Sequence, residues 1–152
     1  MFILKKKISA LICGTLMAFS AVSFASLEPE QIMLGGMHPG MSVSEVIEMY
    51  GDPLRREGDK IVYDGFYVEV DDNNPTYVEE IVALDGRLGT FDGMEIGNSE
   101  DELRKACGKP DKIDSSATSH KKEFTYYSND NKTKLEFTLE RGIISKISCE
   151  FR

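Results

Sequence analysis

Tryptophan is absent from the 152 residues, histidine occurs only twice, cysteine three times and proline five times. Two isolated histidines and no Cys-x-x-Cys pair leave no zinc spacing. Asp71-Asp72-Asn73-Asn74 lacks the alternate-residue acids and the glycine of a calcium loop, so no metal ligands are assigned. The glycines stand at caps and turns rather than in a strand-to-helix loop that would cradle phosphate, so no cofactor is implied. A covalent catalyst needs Cys or Ser beside a histidine. His38 precedes a proline and His120 lies in a polar stretch, and a nucleophilic Cys107 would need an electropositive, partly exposed setting. The residues therefore predict no catalytic group. A surplus of bases is also missing: 18 against 26 acids, with a net charge of −8, argues against nucleic-acid backbones and anionic lipid surfaces. With 41% hydrophobic residues and no low-complexity tract the chain folds, and 17.0 kDa allows one domain or two very small ones.

Only one long apolar run is present, residues 8–24, behind Lys5-Lys6-Lys7 and ending in Ser23-Phe24-Ala25. This predicts a secretory signal peptide over residues 1–25, cut after Ala25. The alternative is an uncleaved anchor, for which such a run is the lower limit of length. Cys13 follows Ile12 and lies inside the run, which does not suit lipid attachment. Cleavage leaves 127 residues with a charge of −11 and an even pair of cysteines, in a secreted or periplasmic, oxidising setting with no membrane span.

Residues 36–53 and 93–110 align without a gap at an offset of 57. Gly36, Met37, Gly40, Ser42, Glu45, Gly51 and Pro53 recur as Gly93, Met94, Gly97, Ser99, Glu102, Gly108 and Pro110. Ser42-x-x-Glu45 and Ser99-x-x-Glu102 are capping boxes that open short helices. Gly51 and Gly108 suit the left-handed residue that ends a helix, and Pro53 and Pro110 prevent continuation. Val43, Val46, Ile47 and Tyr50 form one apolar stripe; Leu103, Ala106 and Cys107 form a weaker one. Strands are expected at 60–64, 66–70 and 77–84, then at 122–127, 134–140 and 143–151. The fold class predicted is α+β, as two tandem helix-plus-antiparallel-sheet units (α-β-β-β each). Residues 26–35 form a loosely held lead-in, 36–85 and 93–152 the units, and 86–92 a linker. Units so small are marginal alone, so a shared core or sheet is expected.

Cys107 and Cys149 both fall on core-facing positions, Cys149 together with Ile143, Ile147 and Phe151. In an oxidising compartment this predicts a disulfide; two buried free thiols that merely pack are the alternative. The first unit carries most of the acidity, −10 over residues 26–91 against −1 over 92–152. Tyr63, Tyr67, Tyr77, Tyr126 and Tyr127 lie along the strands. They suit either cross-strand packing or a binding face. Tyr63, Tyr67, Tyr126 and the hairpin residues Asp71 and Asp72 are the candidate partner-binding residues.

The twice-occurring pattern Gly-Met-x-x-Gly-x-Ser-x-x-Glu, closed by Gly-x-Pro, resembles the motif of the SmpA/OmlA (BamE-type) group of bacterial envelope proteins. It is also similar to the β-lactamase-inhibitor-protein (BLIP-like) superfamily. The resemblance implies helices on one side of an antiparallel sheet and a broad face that binds another protein, with the motif residues structural. The expected function is an exported, non-enzymatic binding module for another envelope or secreted protein; inhibition of an exported hydrolase such as a β-lactamase, or a small Cys-dependent hydrolase, are the alternatives.

Overall fold

The computed structural model describes residues 27–152; the proposed signal peptide and the residue after it lie outside the described residues. Two eight-residue helices, α1 (Val43–Tyr50) and α2 (Glu100–Cys107), accompany eight strands. These are β1 (Arg55–Glu57), β2 (Lys60–Val62), β3 (Phe66–Val70), β4 (Val78–Ala83), β5 (Lys112–Ser116), β6 (Lys121–Tyr127), β7 (Thr133–Glu140) and β8 (Ile143–Phe151). They form one antiparallel sheet in the order β1-β2-β3-β4-β8-β7-β6-β5, so the last strand of each half meets at the centre.

Local chemistry sets both helices. Ser42 accepts from the amide of Glu45 and the Glu45 carboxylate returns to the Ser42 amide at 2.9 Å. Ser99 and Glu102 repeat the exchange, the return bond measuring 2.7 Å. Each helix stops at a glycine of positive φ, Gly51 at 80° and Gly108 at 73°. Helices this short draw their stability from packing, and each is tied to the start of a central strand. Gly40 and Val43 donate to the carbonyls of Val78 and Thr76, and Gly97 and Glu100 donate to those of Ile144 and Gly142.

The register builds one apolar face. Phe66, Ala83, Ile147, Phe137 and Phe124 lie in one cross-strand row, and Val68, Ile81, Cys149, Leu135 and Tyr126 in the next. Tyr50 of α1 meets Phe66 edge-on at 5.0 Å, and Arg104 of α2 stacks on Phe124 at 4.6 Å, so both helices cover this face. Leu27, Ile32, Leu34, Met37 and Leu88 complete the core.

Several expectations are corrected. Each helix is followed by four strands, not three: β1 and β5 are wholly exposed edge strands, and with both faces wet they carry no apolar alternation to betray them. The lead-in is held, not loose. Asn129 donates to the carbonyl of Leu27, Leu34 pairs with Met37 and Thr90, and Gly35 donates to Gly89. The linker is likewise anchored by the buried Leu88 and Thr90. Ala106 is exposed, so the second stripe is Leu103 and Cys107. A bulge between Thr138 and Leu139 brings Ile144, rather than Ile143, into the core, and Phe151, the last residue of β8, is exposed.

Candidate functional site: the uncovered sheet face

The face opposite the helices reads very differently. One row runs Lys60, Glu69, Glu80, Glu150, Lys134, Tyr127; its neighbour runs Val62, Tyr67, Val82, Ser148, Glu136, Thr125, Lys112. Val82, Ser148 and Thr125 are buried at its centre, and Val82 stands apart from the helix-covered core. Lys60 reaches Glu69 at 2.9 Å and lies over the ring of Tyr67 at 4.6 Å. Lys134 bridges Glu136 at 3.0 Å and Glu150 at 2.9 Å. Arg152 stacks on Tyr127 at 4.5 Å.

The electrostatics of this face are uneven. Burial raises the Glu80 carboxyl above its ordinary 4.5, and Glu69 and Glu136 add to the rise against the pull of Lys146. Burial also raises Glu150. Burial opposes the charge of Lys134, but its bonds to Glu150 and Glu136 outweigh that and raise it. Four carboxylates thus crowd the middle of an uncovered sheet; Lys134 bridges two of them, Lys60 pairs with Glu69 and Lys146 pulls on Glu80. Perturbed titrating groups of this kind concentrate at functional sites.

The sequence-derived binding residues do not come together here. Tyr67 stands on the uncovered face, but Tyr63 and Tyr126 lie on the covered one, buried in the core. Their rings pack at 4.7 Å on Phe66 and at 5.8 Å on Phe137, respectively. Each hydroxyl donates to a helix-ending carbonyl, Tyr63 to Gly51 at 3.0 Å and Tyr126 to Gly108 at 3.1 Å. Both tyrosines pack within the core, in keeping with the cross-strand packing expected above. Asp71 is engaged in its own turn, accepting from the amides of Asn73 at 2.7 Å and Asn74 at 3.0 Å, while Asp72 is exposed beside it. Glu80, Lys134, Glu136 and Glu150 were missed by sequence reasoning. The alternation of β7 signals that Lys134 and Glu136 share a face, but their neighbourhood with Glu80 depends on the β4–β8 pairing.

No disulfide joins Cys107 and Cys149; both are buried free thiols. α2 stands over β6, with Arg104 on Phe124 and Gly108 bonded to Tyr126, whereas Cys149 lies two strands away on β8. Two strand spacings are about 10 Å, beyond the roughly 7 Å that a disulfide tolerates. Burial and the neighbouring Asp92 push the Cys107 thiol up to about 12, the reverse of what a nucleophile needs. Among the described residues no group of three or more His, Cys, Asp or Glu is placed to hold a metal ion. No helix among them is long and apolar enough to cross a membrane.

The fold so defined is an antiparallel sheet of eight strands with two helices on one face. It is shared with a DUF4309 family protein (YjgB) from Bacillus subtilis, with a TM-score of 0.51 and 12% identity over 73% of this chain and 78% of that one. It is also shared with an extracellular protein containing a SCP domain from Bacillus anthracis, with a TM-score of 0.52 and 9% identity. That match covers 97% of this chain but only 50% of the other, so the present chain spans about half its length. A protein from Streptococcus mutans described as a candidate β-lactamase inhibitor aligns more loosely, with a TM-score of 0.34 and 16% identity over 83% of this chain and 90% of that one. Neither a protein-family model nor a curated protein matches the sequence.

Proposed function

We propose that the protein is an exported, non-enzymatic binding module, built from two tandem copies of one helix-and-sheet unit, that docks a partner protein on its uncovered sheet face. The observation that carries this reading is the directly opposed pair of carboxyl groups, Glu80 on β4 and Glu150 on β8, at the centre of that face. Glu80 and Glu150 are held where burial disfavours their charge, and a partner's Lys or Arg would relieve that cost while covering Tyr67 and Tyr127. The duplication is supported by the bonds that recur in both halves: capping boxes, the ties from Gly40 and Gly97, and the Tyr63–Gly51 and Tyr126–Gly108 contacts. The residues 1–25 pattern supports secretion or a periplasmic location. The partner is then a secreted or envelope protein with a basic surface.

The test is capture from envelope or culture-supernatant protein with immobilised wild type and two variants. Glu80→Lys with Glu150→Lys should abolish capture of a basic protein that Asp72→Lys, in the β3–β4 connection, still retains. A protein captured equally by all three, or none captured, removes the reading.

A further inference from the structure

β5 ends the sheet with β6 as its one neighbour. Outside that ladder, residues 112–116 make no backbone hydrogen bond among the described residues. All five are exposed, Ile113 by 45%. Their pairing with β6 runs from Lys112↔Thr125 to Ser116↔Lys121 without a shift, so no bulge twists this edge away, and no proline interrupts it. Open edges of this kind recruit other strands. The opposite edge, β1, is cut to three residues. It also belongs to the half of the chain that carries −10 over residues 26–91, against −1 over 92–152. Two copies of this acidic protein therefore meet with least repulsion at β5.

We propose that β5 pairs antiparallel with β5 of a second copy, centred on Ile113, to give a two-fold dimer with one continuous sheet. A two-fold axis normal to the sheet keeps each face with its like, so the pair must be centred on a residue. Centring on Lys112 or Asp114 sets that charge directly against itself, which is destabilising; centring on a serine pairs no opposite charges. Centring on Ile113 sets Lys112 of each copy against Asp114 of the other. It also sets Ile113 against Ile113 on the helix-covered face, where its cross-strand neighbour is Phe124. Within one chain Lys112 already holds Asp114 at 2.5 Å, so the dimer joins two such pairs into an alternating square of four charges. A five-residue edge buries less than the roughly 1,200 Å² of a stable interface, which makes the dimer weak, with a Kd on the order of 100 µM. Glu80 and Glu150 lie on β4 and β8, with β7 and β6 between them and this edge, so the docking proposal and this one can each fail alone.

The experiment is sedimentation velocity of the purified protein from about 10 µM to about 1 mM, over which monomer should give way to dimer. Lys112→Asp leaves two acids on each edge, and Asp114→Lys leaves two bases. Both sites are exposed, so neither change threatens the fold. Each variant alone should dimerise at least about tenfold more weakly than wild type. An equal mixture of the two should recover the dimer, because each acid then faces a base. Wild type that stays monomeric at about 1 mM, single variants that dimerise as wild type does, or a mixture that stays monomeric would overturn the proposal. Species that keep growing beyond a dimer would overturn it too. They would mean that β1 of one copy pairs on β5 of the next, where Arg55, Arg56 and Glu57 also match Asp114, Ile113 and Lys112 but form an open chain.

Discussion

The hydroxyl of Tyr126 donates to the carbonyl oxygen of Gly108 at 3.1 Å from a ring that is wholly buried, so the end of α2 is fastened to the sheet by one core hydrogen bond. Gly108 is where the helix turns, and its carbonyl belongs to the group that a helix end leaves without an intrahelical partner. Tyr126→Phe keeps the ring packing on Phe137 and leaves that carbonyl without its tyrosine donor. The expected loss is about 1–3 kcal/mol, read as a lower denaturant midpoint. Tyr63→Phe removes the matching bond to Gly51 and should cost less, because Tyr63 is less deeply buried.

Both thiols should be silent to a labelling reagent in the folded protein and reactive once it is unfolded. A thiol assay should find Cys107 and Cys149 unlabelled in buffer and both labelled in denaturant without reductant. Their acidity gives a second handle. Burial raises both thiols above the ordinary 9.0, Cys107 to about 12. A raised folded value means that the stabilisation is fully present below pH about 9, where the unfolded thiol also keeps its proton, and is lost as pH rises toward the folded value. Stability should therefore fall above pH 9 by up to about 1.4 kcal/mol per pH unit for each thiol, and Cys107→Ala should flatten the fall.

The helix boundaries were legible because each is written in a few adjacent residues: a serine, a glutamate three places on, and a glycine at the end. Six strands were legible for a similar reason, since one wet and one dry face leave an alternating pattern in a single segment. What was not legible depends on long-range placement. β1 and β5 are exposed on both faces and leave no pattern. Tyr63, Tyr67 and Tyr126 look alike in the sequence, and only the cross-strand register sends Tyr67 to one face and the other two to the opposite one. The free state of the two thiols was not legible either: both cysteines face the core, but the strand order puts β7 between β8 and β6, over which α2 lies. The carboxylate group joins residues from β3, β4, β7 and β8 that no local spacing links.

Gly35 tests the corrected view of the lead-in. It sits at φ 57° with the Tyr50 hydroxyl donating to its carbonyl at 2.5 Å, and a methyl group there would come within 2.6 Å of Leu88 and closer still to Tyr50. Gly35→Ala should cost about 1–3 kcal/mol through crowding alone, with added strain from the positive φ. If residues 27–35 were loosely held, the substitution would leave the melting temperature unchanged.

Glu80 and Lys134 make opposite contributions to the same face, and pH separates them. The raised carboxyl of Glu80 means that the folded protein holds this proton more tightly than the unfolded chain does. Its stabilisation is then fully present below the ordinary value of 4.5 and is lost as pH rises through the folded value, so at pH 7 the ionised group is a cost. Glu80→Gln, which keeps the shape without the charge, should raise the melting temperature at pH 7 and leave it unchanged at pH 4. Lys134→Met removes the cation between Glu136 and Glu150. It should lower the melting temperature at pH 7, where those carboxylates repel, and lower it less at pH 4, where they take up protons. Thermal melts of the two variants across pH 4–8 decide the matter. Parallel curves for Glu80→Gln and wild type would mean that Glu80 is as well solvated folded as unfolded. The electrostatic case for a basic partner on this face would then have no foundation.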